Sequence, residues 1–136
     1  MIITIVIPTC ERPELVARCL GKIKGADEVI VTDDSKSDRT LHMIRDRFPA
    51  VKWVRGPGRG PAANRNFGAS QATGDSLAFL DDDCIPAEDW VENMRKALAG
   101  AELVEGRTVE QFSVDSPVSP SMRSVQQFFE HCLNCL

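Results

Sequence analysis

Residues 2–7, IITIVI, are an unbroken run of β-branched side chains. Such residues are stiff at χ1 and crowd a helix, so the run reads as a strand. The run is continuous rather than alternating, as expected of a strand covered on both faces. Two-sided burial is the habit of parallel sheets, and parallel strands need crossover helices to join them. The rest of the chain therefore has to alternate.

It does. Pro8 stops the first strand, and Pro13 opens a helix, where its missing N–H costs nothing. Leu15, Val16, Cys19, Leu20 and Ile23 give that helix one apolar face. EVIVT, 28–32, is a second buried strand. Ser37 is the expected N-cap of a second helix, with Leu41, Ile44 and Phe48 as its stripe. VKWV, 51–54, is a short third strand, RGPGRGP, 55–61, a loop, and 62–73 an Ala-rich helix. SLAFL, 76–80, is a fourth strand. Pro86, Glu88 and Asp89 form the first turn of another helix, carrying Trp90, Val91, Met94 and Leu98. AELVEG, 101–106, is a candidate fifth strand. The fold class is α/β, a mostly parallel sheet flanked by helices. Ligands in such sheets bind beyond the carboxyl ends of the strands.

At 136 residues the chain holds one domain with a substantial core. A net charge of −4 gives no electrostatic support to a nucleic-acid role. No stretch approaches the ~20 apolar residues of a membrane span. The N-terminus lacks the pattern of a signal peptide. Five cysteines, Cys10, Cys19, Cys84, Cys132 and Cys135, make no disulfide framework. The expected location is cytoplasmic, with any membrane association through partners.

The loop after the fourth strand poses the sharpest chemical question. LAFLDDDC ends a buried strand on Asp81, Asp82 and Asp83. Like charges this close repel, and burial makes the repulsion worse. Along an extended backbone Asp81 and Asp83 share one side and Asp82 takes the other. Two hard-oxygen ligands with open positions suit Mg²⁺ or Mn²⁺ shared with a diphosphate. A solvated acidic loop or a cap for the next helix is the alternative use.

The other loops carry matching chemistry. In VTDDSKS, Asp33 and Asp34 follow a buried strand, and a carboxylate there can accept a base's ring N–H. An Asx-turn would employ the same residues. In PTCERP, Thr9 offers a hydroxyl and Glu11 a carboxylate; the absence of G-x-G-x-x-G argues against a dinucleotide site. In GRGPAANRNFG, Gly58 and Gly60 permit close backbone approach. Arg59 and Arg65 suit phosphate, and the helix start near Ala62 adds partial positive charge.

VIPTCERPELVARCL, EVIVTDDSKSDRT, GRGPAANRNFGASQATGD and LAFLDDDCIPAEDWVENM occur in that order. Together they resemble the nucleotide-sugar-binding half of a family 2 glycosyltransferase with the GT-A fold, over roughly residues 2–110. The resemblance implies an inverting transfer from a nucleoside diphosphate sugar, a UDP-sugar by family habit, to an acceptor it does not name. It makes Asp81-Asp82-Asp83 the D-x-D motif, with Asp81 and Asp83 at the metal, Mn²⁺ or Mg²⁺. It assigns Pro8, Thr9, Glu11, Asp33, Asp34, Arg65 and Asp82 to the nucleotide sugar.

The family ordinarily continues with an acceptor half that carries the general base, and no candidate base is found after Asp115. A donor-binding module without catalysis is the rival function. His42 and His131 are lone histidines, expected on the surface. Residues 111–136 read as a Ser/Pro linker and a terminal amphipathic helix, whose face at Val125, Phe128, Phe129, Cys132, Leu133 and Leu136 makes 124–136 a candidate homodimer contact. The C-x-x-C at 132–135 has no second pair to complete a zinc site.

Overall fold

A computed structural model describes residues 1–109. The expectations for the linker, the terminal helix, its dimer contact, His131 and the C-x-x-C lie outside the described residues. Met1–Glu105 pack as one compact unit.

Strands β1 (Ile3–Thr9), β2 (Glu28–Asp33), β3 (Lys52–Arg55) and β4 (Ser76–Phe79) alternate with helices α1 (Pro13–Leu20), α2 (Arg39–Arg47), α3 (Pro61–Ser70) and α4 (Trp90–Leu98). The sheet runs in the order β3-β2-β1-β4, and every pairing is parallel. The longest apolar run is thus an interior strand.

One side of β1 presents Ile3, Ile5 and Ile7. They pack with Val16, Cys19 and Leu20 of α1, Ile44 of α2 and Val91 of α4. Ile3, Ile5 and Ile7 are each at most 1% exposed, and burying one contributes about 2 kcal/mol. The opposite side carries α3, and Gly68 permits that helix to lie close. A Cβ there would stand 2.5 Å from Val6 Cγ1 and 2.9 Å from Thr32 Cγ2. Leu77 and Phe79, on the edge strand β4, stay exposed at 43% and 47%.

Four details differ from the sequence expectation. Pro8 does not stop β1; it pairs in register with Thr32, and the strand runs on to Thr9. Its missing N–H is tolerated because the β4 ladder has ended beside Val6. Ser37 does not cap α2. The cap position falls on Asp38, and the Ser37 hydroxyl donates to Glu11 instead. Helix α4 begins at Trp90, beyond Pro86. Residues 101–106 form no strand and are mostly exposed, because AELVEG has too few apolar residues to bury there. Among the described residues, no helix is long and apolar enough to cross a membrane.

Candidate functional site

Parallel pairing brings all four strands to a common carboxyl end. Thr9 lies beside Asp33, and Asp33 beside Arg55. The first loop, 10–12, the second, 34–38, the third, 56–60, and the segment 80–89 after β4 leave from there.

Two polar groups at this end are buried and serve the frame. Asn64, 3% exposed, donates to the carbonyls of Thr9 and Thr32 at 3.2 and 3.0 Å and accepts the Thr32 hydroxyl at 2.6 Å. It ties β1 and β2 to α3. Gly56 is required beside it, since a Cβ there would collide with Asn64 and Asp34. Asp33 is fully buried. It accepts the Ser35 N–H at 2.9 Å and the Trp53 indole N–H at 3.1 Å. Arg55 stacks over the Trp53 ring and donates to the Ser35 carbonyl. Asp33 is therefore committed to the second loop and has no exposed surface for a ligand.

The three consecutive acids divide by burial. Asp81 and Asp83 are exposed, while Asp82 is 6% exposed. Asp82 accepts the Thr9 hydroxyl at 2.7 Å and the Arg12 guanidinium at 3.2 Å. Burial pushes its carboxyl above the ordinary range, and Asp83 and Asp81 add to that. Thr9 and Arg12 oppose it. Asp81 forms an ion pair with Arg65. The backbone of this segment is held from α1, where Arg18 donates to the Asp83 carbonyl at 3.3 Å and the Cys19 thiol reaches the Asp81 carbonyl at 3.8 Å. Burial pushes the Cys19 thiol up to about 12, so it stays a donor.

Glu11 and Asp34 bridge loops. Glu11 accepts the N–H groups of Lys36 and Ser37 at 2.7 and 3.0 Å, and the Ser37 hydroxyl at 2.7 Å. Those bonds, Ser37's first, hold its carboxyl below the usual range. Asp34, half-buried, accepts the Gly58 N–H at 2.8 Å. Pro8 is half-buried at the end of β1. Arg59 is exposed and lines a shallow hollow of about 470 Å³ with Pro57, Ala63, Asn66 and Phe67. His42 is exposed on α2.

The strand ends thus gather Pro8, Thr9, Asp34, Arg65, Asp81, Asp82 and Asp83, with Glu11 turned into the second loop and Asp33 buried beneath it. Sequence reasoning missed Arg12, Asn64, Trp53 and Arg55. Arg12 had a usable signal: it is the one cation in a loop that faces three acids. Among the described residues, no three His, Cys, Asp or Glu side chains converge to hold a metal ion. One or two carboxylates sharing an ion with a diphosphate remain compatible with Asp81 and Asp83, whose hard oxygens are the donors Mg²⁺ and Mn²⁺ take.

The family model described as glycosyl transferase family 2 matches residues 4–131. The glycosyltransferase AglE of Haloferax volcanii is 30% identical over 116 residues, which cover 76% of this chain and 38% of that protein. A validoxylamine A glucosyltransferase of Streptomyces hygroscopicus subsp. jinggangensis is 34% identical over 110 residues, covering 73% of this chain and 26% of the relative. The chain thus spans well under half the length of these relatives. Among solved structures, S. aureus TarS 1-349 superposes with a TM-score of 0.65 at 22% identity, covering 82% of this chain and 39% of that one. The same protein in complex with UDP-GlcNAc superposes with a TM-score of 0.59.

Proposed function

The chain belongs to glycosyl transferase family 2, and from that premise we propose that it forms the donor-binding part of an enzyme that moves a sugar from a nucleoside diphosphate sugar to an acceptor. The observation that carries the reading is the gathering of Thr9, Asp34, Arg65 and the three acids where the strands of the sheet end. The TarS complexes with UDP and UDP-GlcNAc make a uridine nucleotide the favoured donor.

In this reading Asp34 accepts a ring N–H of the base, and Pro8 with Thr9 edges the base or ribose. Asp83, assisted by Asp81, would hold Mn²⁺ or Mg²⁺. A bound divalent ion supplies charge neutralisation for the departing diphosphate. Arg65 reaches the same region and offers a bidentate donor to diphosphate or sugar oxygens. Asp82 stays beneath, where it accepts from Thr9 and Arg12 and fixes the turn that presents its neighbours. Asp33, buried as it is, supports the loop rather than the ligand. Transfer is inverting, with a general base outside the residues named here.

Titration calorimetry with UDP, with and without Mn²⁺, followed by an assay for sugar transfer and UDP-sugar hydrolysis, tests the reading. Metal-dependent UDP binding is the expected result, and its absence overturns the site. The rival reading is a donor-binding module without catalysis. Tight UDP binding with neither transfer nor hydrolysis would select it.

A further inference from the structure

The loops at the carboxyl end are linked in a circuit, each passing a charged side chain to the next. Glu11 of the first loop grips Lys36 and Ser37 of the second. Asp34 of the second takes Gly58 of the third. Arg65, on the helix that follows the third, pairs with Asp81. Asp82 closes the circuit on Thr9 and Arg12.

We propose that Glu11 is a positioning residue, which sets the place of the Asp34 carboxylate and does not itself touch the nucleotide. The proposal rests on the reading of this end as a nucleotide site. Three observations support it. First, both Glu11 carboxylate oxygens are engaged: Oε1 takes two backbone N–H groups and Oε2 the Ser37 hydroxyl. A carboxylate offers about four acceptor positions, so little capacity remains for a ligand. Second, Glu11 has φ 55°, the only non-glycine residue among those described in the left-handed region. A side chain holds that conformation where its surroundings over-determine it. Here the Glu11 N–H donates to Ser35 Oγ at 2.6 Å, so backbone and side chain both face the second loop. Third, the loop is pinned at each step around Asp34. The Asp34 N–H donates to the Thr9 carbonyl at 3.0 Å, Ser35 to Asp33 at 2.9 Å, and the next two N–H groups to Glu11. Remove Glu11 and the two residues following Ser35 lose their anchor, leaving the Asp34 carboxylate to be placed by the Thr9 carbonyl and the Gly58 N–H alone.

A double-mutant cycle read by UDP calorimetry decides the matter. Glu11→Ala should weaken UDP about tenfold in the wild-type background. In an Asp34→Ala background it should weaken UDP by less than about twofold, because the carboxylate it positions is gone. Glu11→Gln keeps a carbonyl acceptor for the two backbone N–H groups and should recover most of the affinity. Ser37→Ala, a milder break of the same clamp, should weaken UDP about threefold and only where Asp34 is present. Melting curves establish that each variant is folded, and Ser37→Ala carries the test if Glu11→Ala is not. A full tenfold cost in both backgrounds would show that Glu11 meets the ligand directly and would overturn the proposal. So would no cost in either. If Asp34→Ala leaves UDP affinity unchanged, the nucleotide-site reading falls, and the proposal with it.

Discussion

At the amino end of the sheet, Asp27 accepts the Ile3 N–H at 2.9 Å and pairs with Arg95, while Glu28 accepts the Thr4 hydroxyl at 2.6 Å and the Thr73 N–H at 2.8 Å. Asp75 takes the Ile2 N–H at 2.8 Å. At the carboxyl end, three acids stand in sequence and two of them are neutralised by arginines that arrive from other elements. Both ends use carboxylates to fasten backbone, yet their electrostatics differ. The Ile3 N–H and Arg95 lower Asp27; for Glu28, burial opposes the anion but the Thr4 and Thr73 bonds outweigh it. Burial instead raises Asp82, and its own neighbours push the same way. The amino end gives each of its acids, the adjacent Asp27 and Glu28 included, its own donors, which is how a chain fastens strands for stability. Crowding acids carries an electrostatic cost that stability alone does not reward, and sites of strain of this kind are where ligand chemistry concentrates.

The comparison can be broken most severely at Asn64, which belongs to the frame and to the site at once. Asn64→Ala removes three hydrogen bonds and leaves the buried Thr32 hydroxyl without its acceptor. A loss of about 3 kcal/mol in denaturant unfolding is expected, together with weakened UDP binding. Asp83→Ala should separate the two effects. Its carboxylate is exposed, so the melting temperature should hold while Mn²⁺-dependent UDP binding falls about a hundredfold. Unchanged affinity in the calorimeter would remove Asp83 from the metal assignment and would leave the carboxyl-end crowding without a use.

How much of this was legible beforehand follows from the range of the interactions. The strand and helix alternation is written in short windows. IITIVI and EVIVT announce buried strands, and the apolar face through Val16, Cys19 and Leu20 announces α1. The parallel topology then placed the loops at one end without further information. Side-chain commitments were not legible, because they bridge distant residues. Arg12 meets Asp82 across 70 positions, and Asn64 meets Thr9 across 55. No local period encodes either contact. Asp33 and Asp34 look equivalent in sequence. The pleat turns one under the sheet end to Trp53 and leaves the other beside Gly58. Pro8 misled for a related reason, since whether proline ends a strand depends on whether a neighbour wants its N–H.

The smallest expected effect sharpens the amino-end half of the comparison. Glu28→Gln keeps the shape and an acceptor but discards the charge. It should lower the melting temperature by about 4 °C at pH 7 and leave UDP binding as it was. Its pH dependence carries the sign. The folded pKa of Glu28 lies below its ordinary 4.5. The unfolded chain therefore binds the proton more readily, and the contribution is present above pH 4.5 and lost as pH falls through the folded value. Wild type and Glu28→Gln should then differ at pH 7 and converge in circular-dichroism melts taken progressively below pH 4.5. A gap that persists unchanged into acid would mean that the glutamate acts through packing rather than charge. The contrast between a well-served amino end and a crowded carboxyl end would then rest on Asp27 and Asp75.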